Sequence, residues 1–245
     1  MKHTNGKVVV ILNAPPGAGK DTLANDGTWS MLVGNLLLRE WQKANGTDAP
    51  CHAWKEEFKR ALVLMAYNTI LHTKGADVAT EFLDRLYNRE RKEQQWSELQ
   101  GMSPRQFVIY TSENYAKVCL GNDVFGQTAA RSVAATPVYQ GSGGSLHMFS
   151  DGGFSEEVEI VANTVGAENV YVLQWTAEGC SFKGDSRRYL NAKDVPDGVK
   201  FVMLPHNMKD GDLAGWKAAC LKRVQEYVES QSPRPKGRSL ESKIA

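Results

Sequence analysis

Lys7-Val8-Val9-Val10-Ile11-Leu12-Asn13-Ala14-Pro15-Pro16-Gly17-Ala18-Gly19-Lys20-Asp21-Thr22 is the stretch whose reading decides the fold. Residues 7–13 carry a continuous apolar run, the pattern of a parallel strand buried on both faces. A turn rich in proline and glycine follows, and a helix is expected to open at about Lys20. Strand, glycine turn and helix in that order are the setting of a phosphate-binding loop. Gly17 and Gly19 let backbone N–H groups turn inward around a phosphate, and the helix N-terminus reinforces that concavity. Lys20 brings the charge that follows the β- and γ-phosphates into a transition state. The expected ATP-binding residues are therefore Pro16, Gly17, Ala18, Gly19, Lys20, Asp21 and Thr22. Two positions depart from the usual pattern: Ala14 replaces its first glycine, and Asp21 stands where Ser or Thr normally touches magnesium. Asp21 and Thr22 are the expected magnesium-side residues of the loop.

Working outward, residues 29–43 have helical spacing, and whether they continue the first helix or form a second is open. A short strand is expected at 50–54, and helices at 56–70 and 76–87. The highly polar stretch 89–95 reads as a solvated helix end or a mobile segment. Ser103 as N-cap with Pro104 at the first helical position predicts a helix through about residue 120. Another helix is expected at 123–133, a glycine-rich loop at 141–144, and a strand at 146–150 ending at Asp151. Ser155 is expected to cap a helix running to about 165, with Glu156 and Glu157 in its first turn. Strands at 170–175 and 200–204 and a closing helix at 213–228 complete the set. Strands alternating with helices imply a mostly parallel α/β sheet covered on both faces. Ligands in such sheets bind beyond the carboxyl ends of the strands, where Asn13, Asp151, Trp175 and Pro205 fall.

The 245 residues fit one large domain that needs neither disulfides nor a structural metal to bury its core. A formal net charge of +1 gives no global basic field advertising nucleic acid as a partner. Cys51, Cys119, Cys180 and Cys220 lie too far apart for a clustered zinc site, so free thiols in a reducing compartment are expected. No apolar run approaches membrane-spanning length, and the expected location is cytoplasmic. From residue 230 the chain turns Ser/Pro/Lys/Arg-rich, and 230–245 is expected to be a disordered basic tail.

Further motifs occur in a fixed order after the loop: Ser103-Pro104-Arg105-Gln106, then Lys117 to Gly126 with Gly121-Asn122-Asp123 at its centre. Asp151 with Phe154 and Glu157, and Gly184-Asp185-Ser186-Arg187-Arg188-Tyr189, follow. With Gly19-Lys20-Asp21-Thr22 they resemble the phage deoxynucleoside monophosphate kinases and their P-loop relatives over roughly residues 7–228. The resemblance implies a P-loop NTPase fold with a kinase domain over 1–229 and a lid near 176–192. It also implies ATP and Mg2+ as cosubstrates, and the host-cell cytoplasm as the place of action if the chain is phage-encoded. Lys20 and Thr22 map onto the family's phosphate loop, and Asp151 onto its acidic strand end near magnesium or acceptor. Arg105 maps onto an acceptor-side arginine, and Arg187 and Arg188 onto the lid segment that closes over the phosphates. Lys20, Asp151, Arg187 and Arg188 are thus the expected catalytic residues, with Arg105, Asp151 and Gly152 on the acceptor side.

The family commonly has Asp-x-Arg-Phe at the acidic strand end, whereas this chain reads Asp151-Gly152-Gly153-Phe154. An arginine there is a natural grip for an acceptor monophosphate, and the double glycine is expected to leave room for a bulkier acceptor. The leading expectation is transfer of the γ-phosphoryl group of ATP to a deoxynucleoside monophosphate. Its rival is phosphorylation of the hydroxymethyl group of 5-hydroxymethyluracil in DNA, with the base extruded; Arg234, Lys236, Arg238 and Lys243 of the tail would touch the backbone. A nucleotide-binding regulator without turnover ranks third. A homodimer is compatible with the sequence and not required by it.

Each motif also has a structural reading. Asp151 is open to a role as a helix-capping residue, and Arg105 to pairing with Glu113 or Asp123. Lys55, Lys59 and Arg60 are open to lining an acceptor cleft, with the solvated face of an amphipathic helix the favoured reading. His52, His72, His147 and His206 lack ligand spacing. Trp54, Trp96, Trp175, Tyr110 and Phe149 are expected mostly in the core, with one of them open to stacking on a base.

Overall fold

In a computed structural model that describes residues 6–208 and 211–231, the chain forms a five-stranded, all-parallel sheet flanked by helices. The strands are β1 (Lys7–Asn13), β2 (His52–Glu56), β3 (Ser145–Phe149), β4 (Val170–Gln174) and β5 (Lys200–Met203). Their order across the sheet is β2-β3-β1-β4-β5. The helices are α1 (Lys20–Ala24), α2 (Gly27–Ala44), α3 (Arg60–Lys74), α4 (Ala76–Tyr87), α5 (Pro104–Thr111), α6 (Lys117–Leu120), α7 (Val124–Ala135), α8 (Ser155–Val165) and α9 (Leu213–Gln231).

β1 is central, in register with β3 from Lys7↔Ser145 to Ile11↔Phe149 and with β4 from Val9↔Val170 to Asn13↔Gln174. Successive strand side chains point to opposite faces. Val8, Val10 and Leu12 therefore enter one core with Val33 and Leu37 of α2 and Trp216 and Val224 of α9. Val9 and Ile11 enter the other, with Val133 of α7 and Val158 and Val161 of α8. Both faces are covered, which is why the strand reads as an apolar run rather than an alternation. A third cluster joins Leu62, Ala66 and Ile70 of α3, Phe82 of α4 and Val108 of α5, forming a helical flank beside the sheet.

The first helical region is two helices, not one. Asp26 caps α2, its carboxylate accepting the Trp29 N–H at 3.0 Å and holding Lys217 of α9 at 2.7 Å. Ser103 forms the expected cap as a full capping box with Gln106, and the helical run continues to Leu120 through a π-turn at Ser112–Ala116.

Several local expectations are corrected. Glu56 ends a strand instead of starting a helix, since it lies opposite Phe149 in the sheet, and α3 begins at Arg60. Phe154 is the N-cap of α8 and Ser155 its first residue, with the Ser155 hydroxyl turned to Glu156 at 3.3 Å. Trp54 and Tyr110 are exposed, whereas Trp96, Trp175 and Phe149 are buried as expected. Of the polar stretch 89–95, residues 89–93 form consecutive turns directly after Asn88, the C-cap of α4. Ser230 and Gln231 belong to the last turn of α9, and the remainder of the expected tail (232–245) lies outside the described residues. Among the described residues no helix is long and apolar enough to cross a membrane.

Candidate active site

The glycine loop, residues 14–19, leaves the carboxyl end of β1 and delivers the chain into α1. Gly17 (φ 82°) and Gly19 (φ 92°) both adopt the left-handed conformation that glycine tolerates without strain. No hydrogen bond among the described residues uses the N–H of Gly17, Gly19, Lys20, Asp21 or Thr22. The back of the loop is clamped: the Ala18 carbonyl accepts Trp175 Nε1 at 2.8 Å and Asn207 Nδ2 at 3.1 Å. Trp175, fully buried, is thus a buttress of the loop and has no face open to a base.

Lys20 is buried beneath the loop, and its ammonium donates to the carbonyls of Ala14 and of Pro15, the latter at 2.8 Å. Burial first, then the neighbouring Arg187 guanidinium, pulls its pKa down to about 8. Asp21 and Thr22 lie exposed on the opening turn of α1. Asp21 meets Lys55 Nζ at 3.4 Å, and Lys55 also meets Glu57 at 3.5 Å. Lys55 is therefore a strand-end residue beside the loop and not part of a solvated helix face. Burial raises the Asp21 carboxyl, but the adjacent Ser150 hydroxyl and Lys55 outweigh it and leave the group below the ordinary aspartate value.

Asp151 follows β3, next to β1, and its carboxylate accepts the N–H of Phe58 at 2.9 Å and of Lys59 at 3.1 Å. It ties the turn that leads into α3, 92 residues away in sequence, to the carboxyl end of the sheet, and makes no cap on α8, the helix that follows it. At Gly152 and Gly153 the side where a Cβ would project is taken up by the protein's own side chains. A Cβ on Gly152 would lie 2.3 Å from Ile11 Cγ2, and one on Gly153 2.7 Å from the Arg187 Cβ. The Arg187 side chain, from the 176–192 segment, lies across Gly153.

Arg187 and Arg188 diverge. Arg187 makes a two-pronged pair with Asp185 at 2.9 and 2.7 Å, and its Nη1 reaches the Asp151 carbonyl at 3.5 Å. The Arg187 hydrogen bonds are the main cause holding the Asp185 carboxyl down at about 2. Arg188 is mostly exposed and reaches Asp194 at 3.3 Å. Arg105 pairs with Glu93 at 2.8 Å and lies 3.8 Å from Asp185; Glu113 and Asp123 are occupied by Lys117 and Gln127. The structure therefore gathers Lys20, Asp151 and Arg187 in one place, with Arg105 joined to it through Asp185, and leaves Arg188 at the rim.

Sequence reasoning marked Asn13 only as a strand end, yet it is the staple of the site. Its fully buried amide accepts from Gln174 at 2.7 Å and the Leu190 N–H at 2.9 Å, and donates to the Arg188 carbonyl at 2.9 Å. A polar residue closing an apolar strand was the available signal. Glu157, in the first turn of α8, buries its Oε2 without a partner. Burial above all, then the nearby Asp151 charge, raises its carboxyl well above the ordinary value. A depression of about 270 Å³ lined by Lys55, Glu57, Arg60 and Tyr87 opens beside β2. Tyr87 there is pushed up to about 12, first by burial and then by the Glu57 charge.

Compared with known proteins, the chain matches no family model, and no curated protein matches it.

Proposed function

We propose that this chain is an ATP-dependent kinase of the P-loop class whose acceptor is a deoxynucleoside monophosphate. The observation that carries the reading is the loop after β1, where five unused backbone N–H groups surround a turn with Lys20 beneath it. Such a concavity suits the β- and γ-phosphates of ATP. Lys20 would exchange two loop carbonyls for phosphate oxygens, an exchange favoured by opposite charge.

Transfer between phosphates asks little covalent help of the protein. An acceptor oxygen attacks the γ-phosphorus, the bond to the β–γ bridging oxygen breaks, and ADP leaves with the electron pair. A monophosphate oxygen is already ionised, so no base is required. That agrees with an Asp151 carboxylate that holds two backbone amides and works by position. Arg187, laid over Gly153, supplies the cation that the Asp-x-Arg-Phe position lacks, which favours a phosphate-bearing acceptor over the DNA reading.

Magnesium fits the loop's oxygen donors. Asp21 and Thr22 lie beside it, and Mg2+ characteristically takes one or two protein oxygens and completes its shell with water and phosphate. Bound there, the cation would neutralise charge on the β- and γ-phosphates.

The test is transfer of label from γ-phosphate-labelled ATP to the four deoxynucleoside monophosphates, hydroxymethyl-dUMP, and DNA with and without hydroxymethyluracil. Label on a free mononucleotide is the expected result. Label only on modified DNA would replace the acceptor assignment, and ATP binding without transfer to any acceptor would leave a regulator.

A further inference from the structure

Arg89 lies in the turns that follow α4, a stretch whose polarity reads in the sequence as a solvated helix end or a mobile segment. The structure folds this stretch back over the glycine loop. A Cβ on Gly17 would sit 3.1 Å from Arg89 Nη2, so the guanidinium rests directly on the apex of the loop. The placement is anchored. The Asn88 side chain accepts the N–H of Glu90 at 2.9 Å and of Arg91 at 3.1 Å, closing an Asx turn around residue 89. Lys92 N–H returns to the Asn88 carbonyl at 3.0 Å, and the Lys92 carbonyl takes the Arg105 N–H at 3.1 Å, which ties the turn to α5.

Nearby arginines have carboxylate partners: Arg91 has Glu81, Arg105 has Glu93 and Arg187 has Asp185. Arg89 pairs with no carboxylate and donates no hydrogen bond among the described residues. Its electrostatic neighbours include another cation, Lys92, whose ammonium is lowered by burial and then by Arg105, with Lys59 and Arg89 adding to the effect. An unneutralised guanidinium on a loop of unused N–H groups is a site one anion short.

We infer that Arg89 is a further catalytic residue of the proposed reaction, gripping the terminal phosphate of the bound nucleotide from the acceptor side. The inference rests on the kinase reading. The phosphate it meets is the γ-phosphate, because its segment approaches with Lys59, Lys92 and Arg105 rather than from α1. Planar, two-pronged donation by arginine matches phosphate oxygens and strengthens as charge spreads over the transferring group. Removing one such donor costs about 100-fold to 1,000-fold in kcat.

The test compares wild type, Arg89→Ala, Arg89→Lys and Arg91→Ala, the last a neighbour paired with Glu81. Affinities are measured calorimetrically for Mg-ADP alone and for Mg-ADP with fluoroaluminate, which imitates the planar phosphoryl group. Expected is Mg-ADP binding within about threefold of wild type in all four, with the fluoroaluminate complex weakened about 100-fold in Arg89→Ala and partly restored in Arg89→Lys. Equal weakening of both complexes, or a fluoroaluminate complex as tight as wild type, overturns the inference while leaving nucleotide binding established. Failure of the wild type to bind Mg-ADP instead removes the kinase reading and the inference with it.

Discussion

Gly152→Ala is the sharpest test of the site's floor. The added Cβ would lie 2.3 Å from Ile11 Cγ2, 3.5 Å from Phe58 Cε2 and 3.7 Å from Ile11 Cβ. Carbon atoms pack at about 3.5–4.0 Å, so only the Cγ2 contact is prohibitive, and it is short by more than 1 Å. Gly152 is not in the left-handed region, so the cost is one of space and not of backbone strain. Ile11 cannot step aside, being fully buried in the central strand and paired on both sides. Overpacking of this kind costs about 1–3 kcal/mol, which in a chain of this size lowers Tm by about 2–12 °C. Ile11→Leu removes Cγ2 at nearly constant volume and costs less than about 1.5 kcal/mol alone. The double variant should therefore be more stable than the sum of the singles by about 1–2 kcal/mol. Thermal melts of the four proteins, followed by circular dichroism, measure the cycle. Additivity within about 0.5 kcal/mol, or a Gly152→Ala protein that melts with wild type, refutes the close approach of the Asp151-Gly152-Gly153 turn to β1.

Other expectations concern the charged groups. Asp151→Ala releases the amides of Phe58 and Lys59 at the entry to α3. Losing two charge-assisted bonds, one of them at a solvent-accessible amide, costs about 2–4 kcal/mol, and an unchanged Tm would contradict the tie. Glu157 has a folded-state pKa above its unfolded value near 4.5, so the stability it contributes is full below that value and is lost as pH rises through the raised one. Melting across pH should show Glu157→Gln gaining on wild type above pH 4.5, and parallel curves would show that the carboxyl is not held neutral. Lys20 must be charged to receive phosphate, and its pKa of about 8 predicts that kcat/KM for ATP falls as pH rises through that value. A flat profile to pH 9 would assign the loop's charge elsewhere.

Much of the fold was legible because its signals are local. The run in β1 has the periodicity of a doubly buried strand, α4 keeps its apolar spacing from Ala76 to Tyr87, and Ser103-Pro104 with Gln106 carries its own cap. What failed to read was set by partners distant in sequence. Glu56 opens a helically spaced run in the sequence, but it pairs opposite Phe149 in the sheet, and Asp151 holds the turn amides of Phe58 and Lys59 before α3 begins at Arg60. Nothing in the sequence places Ile11 and Arg187 against Gly152 and Gly153. Lys55 and Arg89 read as solvated charges, since a lysine on a strand end and an arginine on a polar turn look alike whether they face water or the glycine loop. The glycine loop was legible, and so were Arg105 and the 176–192 segment as parts of the proposed acceptor side, while the approach of β2 and residues 88–95 to the loop was not.

The central claim is that the loop at the end of β1 binds ATP for phosphoryl transfer, and the most direct measurement is γ-phosphate label transfer by wild type and Lys20→Ala side by side. Both proteins are first shown to be folded by their melts. The account predicts magnesium-dependent label on a deoxynucleoside monophosphate with wild type, and at least a 100-fold loss in Lys20→Ala. A folded Lys20→Ala protein that transfers label at the wild-type rate would contradict it.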